Sequence, residues 1–312
     1  MSGQNGVEQD RRGLIQGIGA AALAMTGLPA SARERSEAPA GIFTAARDLE
    51  RARHRRSEFA EFLSRIPSAR DATPPFVARA MDELVFGWSR APAPEGTTLA
   101  QAVDRLKAGS DEIRTLALAF ALTGARRHAR DAESRLLDWA RHHTVVNFYD
   151  FEPDFREARH VGWTAGFDSA RPWNFGLDSM WQAYGLANIA DALLLLRSGG
   201  HAFAANDQSD IDDWMRRLTE GVNAGFHAWT RWADVHHPGE SAAFHGTPAS
   251  ENGGELAQGY YRHRADNHLS WALCGLLAAG IATGDGPLAA YALDGGVWQD
   301  SRGGAYRNPS PI

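Results

Sequence analysis

From Gly41 onward the chain almost never alternates apolar and polar residues with the period of two that a half-buried strand needs. That near-absence limits it to folds without a substantial sheet. Apolar residues recur instead at helical spacing, segment after segment. Phe43 to Ile66 has this pattern until Pro67 and Pro74-Pro75 interrupt it, and Phe76 to Trp88 is a second such segment. Pro92, Pro94 and Gly96 make a loop, after which Thr97 or Thr98 is placed to cap a helix from Leu99 to Lys107. Ser110-Asp111-Glu112 opens the next helix, which Gly124 ends. Ala125 to His143 follows, burying Leu136, Leu137, Trp139 and Ala140. Trp173 to Arg197 is the strongest helical stretch, and Ser209 to Trp229 carries Trp214, Leu218, Val222 and Phe226 at core spacing.

The expected class is therefore all-α, built of helix hairpins joined by short Gly/Pro loops. At average helix and loop lengths the chain holds about a dozen helices. That number suits an (α/α) toroid, an incomplete barrel of helix hairpins, and fits a globular bundle equally. No segment recurs at a fixed period, so a consensus-repeat solenoid is not supported.

Composition narrows the function. Of 312 residues 44% are apolar, enough for a sizeable core, and the net charge of −6 has no long run of either sign, which argues against a nucleic-acid partner. Lys107 is the sole lysine. Cys274, the single cysteine, sits in an apolar helical pattern and reads as a buried thiol; one cysteine makes neither an internal disulfide nor a cysteine metal site. His236, His237 and His245 match no zinc spacing, so neither metal nor other cofactor is expected.

The N-terminus reads as an address. Arg11-Arg12 precedes an apolar run from Leu14 to Leu28, and Ala30-Ser31-Ala32 resembles a cleavage site. The run is shorter than the roughly 20 residues a membrane span needs. Residues 1–32 are expected to be a twin-arginine export signal, leaving 33–312 as one domain in the periplasm with no membrane contact after signal removal. The signal carries two acidic and two basic residues, so its loss leaves the net charge unchanged.

Four stretches carry polar chemistry. Thr144 to Pro172 loses the helical pattern and combines Asn147, Tyr149, Asp150, Arg156, Arg159, His160 and Trp163, a length and content that suit a functional loop. In the helix after it, Asn174, Asp178 and Trp181 fall at i, i+4 and i+7 on one stripe, with Gln182 and Asn188 adding amides; in a toroid that stripe faces the cavity. Trp232 to Tyr261 reads as a second non-helical stretch, with Asn252 and Glu255 among its histidines.

The densest polar cluster is Tyr260, Tyr261, Arg262, His263, Arg264, Asp266, Asn267 and His268, set where an apolar helix ending at Gly284 begins. Buried polar groups cost free energy unless paired, so packing alone does not account for it. Asp266 is a natural N-cap. Asn267 and His268 then occupy the first turn, at the positive end of the helix dipole, with Trp271 one turn on and three basic residues beside them. Such a cluster is equipped to hold a carboxylate.

Asp266-Asn267-His268-Leu269-Ser270-Trp271 resembles the Asn-Asn-His-x-x-Trp motif of the alginate lyase superfamily, polyuronate lyases with an (α/α) toroid fold. Thr283-Gly284-Asp285 and the segment Asp294-Gly-Gly-Val-Trp-Gln-Asp-Ser-Arg302 are similar to further segments of that family. The resemblance implies a toroid and an anionic polysaccharide substrate, alginate- or glucuronan-like, cleaved by β-elimination without an obligatory metal. It implies that Asn267 neutralises the substrate carboxylate, that His268 acts as base or assists neutralisation, and that Arg302 binds the carboxylate. Asn174, Asp178, Trp181, Tyr260, Tyr261, Arg262, Arg264 and Trp271 are the expected substrate-binding residues.

Two departures bear on activity. The family carries a catalytic tyrosine about seven residues after the arginine, where this chain has Pro309, and its members continue with helix where this sequence stops at Ile312. A shortened copy is one expectation that follows. Two further functions stay open: a glycoside hydrolase using Asp178 and Asp266, whose carboxyls must then lie about 5–9.5 Å apart, and a non-catalytic polysaccharide-binding protein.

Overall fold

The computed structural model describes residues 40–78, 84–85, 97–147, 173–236 and 267–308, and these are mostly helical. In chain order they form α1 (Ala46–His54), a short 3-10 helix (Arg56–Phe59), α2 (Ala60–Ser64), β1 (Leu84–Val85), β2 (Thr97–Thr98), α3 (Leu99–Thr123) and α4 (Arg126–His142). Then come α5 (Trp173–Ser198), α6 (Ala205–His236), α7 (Asn267–Thr283), α8 (Gly286–Asp294), β3 (Gly296–Gln299) and β4 (Ala305–Asn308). β1 and β2 make a two-residue parallel pair, and β3 and β4 an antiparallel hairpin with Trp298 opposite Tyr306.

Three helix hairpins dominate, each closed by a local stop signal. Between α3 and α4, Gly124 takes a positive φ of 69° and donates to the Phe120 carbonyl. Between α5 and α6, Gly200 N–H bonds Arg197 O while His201 N–H bonds Leu196 O, the paired bonds of a Schellman stop. Gly284, at φ 75°, ends α7. Asp285 then caps α8 by accepting from Leu288 N at 3.0 Å, just ahead of Pro287.

Named contacts set the directions of these helices. Leu106 packs on Gly185, Asp111 meets Tyr184 and Asn188, Arg114 meets Asp191, and Phe120 lies against Gly199. Both numberings ascend together, so α3 and α5 run parallel. α5 and α7 also run parallel: the first half of α7 meets the middle of α5, with Trp271 beside Tyr184 and Gly275 against Ala183, and its end meets the end of α5, where Arg197 Nη1 donates to Ala282 O. The return helices α4, α6 and α8 pack behind as a second layer. Trp139 of α4 and Trp214 of α6 bury together with His143, which accepts from Trp214 Nε1 at 3.1 Å.

α5 is the middle of this array. From Gln182 to Leu196 every residue is buried except the partly exposed Tyr184 and Leu194, because α3, α6 and α7 each cover one of its sides. A helix apolar on nearly all faces is stable only in such a position. Each fully buried leucine or isoleucine, such as Leu186, Ile189 and Leu193, contributes about 1.5–3 kcal/mol of transfer free energy.

Polar clamps attach the N-terminal segment. Asp191 of α5, fully buried, accepts from Arg114 Nε at 2.7 Å and from Phe43 N at 3.2 Å. Glu112 accepts from Thr73 N and Oγ1 and from Arg135 Nη1, and Arg135 also donates to Ser68 O.

Several elements differ from the sequence expectation. Leu99–Lys107 and the segment from Ser110 are one continuous helix, α3. Gly109 does not break it: a Cβ there would stand 2.5 Å from Trp139 Cζ2, so the glycine admits the indole of α4 while Ser110 Oγ turns back to Lys107 O. Phe76 to Ala78 is not helical. Phe76 is buried, and Thr144 ties the segment down by donating its N–H to Phe76 O and accepting at Oγ1 from Ala78 N. α6 runs on to His236, so residues 232–236 belong to a helix and not to a non-helical stretch. The segment ending at Arg302 forms the first half of a β-hairpin, which its helix-rich surroundings gave no reason to expect.

Candidate functional site

On α5, Trp181, Tyr184, Asn188 and Asp191 recur at i, i+3, i+7 and i+10 and form one line. α3 faces it with Lys107, Asp111 and Arg114 at i, i+4 and i+7. The two lines interlock. Lys107 Nζ lies 4.1 Å from the Trp181 ring centroid, and its partner Asp104 is 4.0 Å away. Tyr184 Oη donates to Asp111 Oδ1 at 2.9 Å. Asn188 Nδ2 donates to the same oxygen at 2.7 Å and lies 3.4 Å from Ser110 Oγ. Arg114 pairs with Asp191.

Burial grades along this seam. Asp191 and Asn188 are buried, Trp181, Tyr184 and Lys107 are half-buried, and Asp111 is exposed. The deep end serves packing, since a buried carboxylate persists only when paired. The shallow end opens toward the ends at which α5 and α7 begin. There Trp271 of α7 is 37% exposed, with its ring 6.2 Å from that of Tyr184 at 59°. Burial holds the Tyr184 phenol above its ordinary pKa, and the Asp111 carboxylate pushes the same way, so it is a protonated donor at neutral pH.

The expected site residues distribute as follows. Trp271 lies beside Tyr184, and Trp181 stands one turn before Tyr184 on α5. Asn174 and Asp178 lie in α5 in register with Trp181, and Asn267 and His268 are the first two residues of α7. The side chains of these four lie outside the described part of the structure. Tyr260, Tyr261, Arg262, Arg264 and Asp266 lie outside the described residues.

Arg302 is exposed in the turn between β3 and β4. Asp300 builds that turn by accepting from Arg302 N (2.9 Å), Gly304 N (2.6 Å) and Tyr306 Oη (2.8 Å). The neighbouring Ser301 anchors it to α6, its N–H donating to Glu220 and its hydroxyl accepting from Arg216 Nη1. Tyr306, the tyrosine nearest Arg302 in sequence, is buried and stacked on Trp298, with its hydroxyl committed to Asp300.

Lys107, Asp111 and Tyr184 were not anticipated. The signal lay in the i, i+4 spacing of Lys107 and Asp111, which shows only when α3 is read as one helix.

Among the described residues no group of three or more His, Cys, Asp or Glu side chains is arranged to hold a metal ion, and no helix is long and apolar enough to cross a membrane. Cys274 is buried and is not in a disulfide. The chain matches no protein-family model, no curated protein and no solved structure.

Proposed function

We propose that this protein is an exported polysaccharide lyase that cleaves a uronic-acid polymer by β-elimination. The observation that carries the reading is the partly exposed pair of Tyr184 and Trp271, with Trp271 one helical turn after the start of α7 that holds Asn267 and His268. Aromatic faces beside carboxylates and amides suit sugar rings, whose apolar faces stack while their hydroxyls need partners. The parallel run of α3, α5 and α7 with their returns behind them fits an arc of an (α/α) toroid whose inner layer carries the site.

In that reading the substrate carboxylate lies against Asn267, His268 and Arg302, whose donors and charge stabilise the carbanion formed at the adjacent carbon. His268 removes the proton from that carbon. The electron pair forms the new C=C bond as the glycosidic C–O bond breaks, and the departing oxygen takes a proton from an acid. The N-terminal residues 1–32 act as the twin-arginine signal, and the mature protein works in the periplasm.

Incubation with alginate, glucuronan and hyaluronan-type polymers tests this through the ultraviolet absorbance of the unsaturated uronate. A rise that falls by about a hundredfold or more in His268→Ala, and is lost in Asn267→Ala, is expected. Folded protein that produces no such absorbance on any of these polymers refutes elimination. A second reading, a non-catalytic polysaccharide-binding protein, is favoured by one observation: Tyr306 is buried and bound to Asp300, leaving it unfit to serve as the acid. Binding without product would select it.

A further inference from the structure

Trp271 is the only exposed residue of α7 between Leu269 and Ala282, on a helix otherwise committed to the core. At 37% exposure its indole forgoes part of the burial that Ala272 to Ala282 achieve. Close to it, Asp111 presents a second anomaly. It is exposed, yet its carboxylate is held by two donors, one of them from the buried Asn188, and both converge on Oδ1. Oδ2 accepts no hydrogen bond among the described residues. Surface carboxylates ordinarily rotate freely, so fixing one by a buried amide orients its second oxygen toward solvent at no later entropic cost. Lys107, the sole lysine of the chain, stands one turn before Asp111.

We infer that Asp111 is the anchor of a sugar-ring subsite. One pyranose unit stacks on Trp271 and Tyr184 and donates neighbouring hydroxyls to Asp111, while Lys107 pairs with the carboxylate of an adjoining unit. This rests on the reading that the ligand is an acidic polysaccharide, and it goes further by naming what the subsite selects. An acceptor carboxylate demands hydroxyl donors and repels a second carboxylate at the same place. The ring bound at Asp111 must therefore carry free hydroxyls, and O-acetylation of those hydroxyls removes the donors and blocks the ring.

The test is calorimetric binding of an alginate hexasaccharide, of the same hexasaccharide after chemical O-acetylation, and of a neutral glucan hexasaccharide. It uses the full chain carrying His268→Ala, so that no ligand is consumed. The expected result is that acetylation weakens binding by about tenfold or more, as loss of hydrogen bonds to a charged group implies. Asp111→Ala weakens binding comparably and abolishes the preference for the unacetylated form. Asp111→Asn keeps an oxygen for Tyr184 and Asn188 but turns the outer acceptor into a donor, and it gives the same result if the alanine variant does not fold. Lys107→Met weakens binding of the uronate hexasaccharide and leaves the neutral one unchanged. Unchanged affinity in Asp111→Asn, or no binding of either hexauronate to the parent, overturns the subsite. Product absorbance from the His268-intact chain with an Asp111-independent affinity would leave elimination standing and remove the subsite. Asp111-dependent binding without product would do the reverse.

Discussion

Gly275→Ala is the substitution that most directly probes how α5 and α7 meet. A Cβ at Gly275 would stand 2.5 Å from Ala183 O, 2.7 Å from Ala183 Cβ and 2.8 Å from Ala183 Cα. Ordinary contact begins near 3.5 Å, so the added methyl is about 1 Å too close to atoms that are mostly backbone. No rotamer change relieves that contact; the helices must move apart. Overpacking of this kind costs about 1–3 kcal/mol, and the poor adaptability of a backbone wall places it at the upper end. Replacing a mid-helix glycine by alanine returns about 1 kcal/mol of helix propensity. The net expectation is a loss of about 2 kcal/mol, or roughly 4–8 °C in Tm for a domain of this size class.

Gly185→Ala supplies the comparison. Its Cβ would meet Leu106 Cγ at 2.8 Å, but Leu106 is a side chain that can shift, so the propensity gain should offset more of the strain. Urea and thermal unfolding followed by circular dichroism would rank the two, with Gly275→Ala the less stable. The displaced helix also carries Trp271 away from Tyr184, so hexasaccharide affinity should fall with stability. A Gly275→Ala protein as stable as its parent would refute backbone-to-backbone packing of α5 on α7, and with it the placement of Trp271.

Three further perturbations test other parts of the structure. Asp191→Ala leaves Arg114 and Phe43 N without their acceptor; because Arg114 is 33% exposed and regains some hydration, the cost should be about 2–3 kcal/mol rather than the 3–5 of a fully buried pair, read from urea midpoints. His143 is held by burial, and then by Arg217, to a pKa of about 3, against 6.5 when unfolded, so below pH 6.5 the unfolded chain takes up a proton that the folded one refuses. Its contribution is full above pH 6.5 and declines as pH falls toward 3, at about 1.4 kcal/mol per pH unit. His143→Gln should flatten the pH dependence of unfolding free energy between pH 6 and 4 by about that slope, and an unchanged slope would exclude a buried neutral imidazole. Tyr306→Phe should lose about 1 kcal/mol of stability with hexauronate turnover retained, whereas Asp300→Ala, which frees the turn under Arg302, should raise KM.

The helices were legible where one physical signal settled them. Trp173 to Arg197 has an unbroken apolar period, and Gly124 and Gly284 stop their helices by taking a positive φ. Trp214, Leu218 and Val222 are all buried as their spacing required. The sequence misled where a distant contact decided the local form. Gly109-Ser110 looks like a break, and only the indole of Trp139 explains why a glycine sits inside a continuous helix. Phe76 has the apolar neighbours of a helix, but its backbone is taken by Thr144 across a long sequence separation. At the site, Trp181 and Trp271 could be found from period alone. Asp111 could not, because what sets it apart is the convergence of Tyr184 and Asn188 from another helix.

The seam between α3 and α5 joins these two levels. A purely apolar interface between parallel helices can slide by a turn at modest cost, because one leucine replaces another in each groove. The Arg114–Asp191 pair forbids that slide, since a one-turn shift would strand a buried carboxylate and its cation. Asn188, one turn nearer the surface, fixes the same register through Asp111. The buried end of the seam thus determines where its exposed end stands, and the distances among Lys107, Trp181, Asp111 and Tyr184 follow from it. Polar residues inside α5 weaken it as a core helix. In exchange they confine the open end of the seam to one arrangement, the preorganisation that any binding face needs.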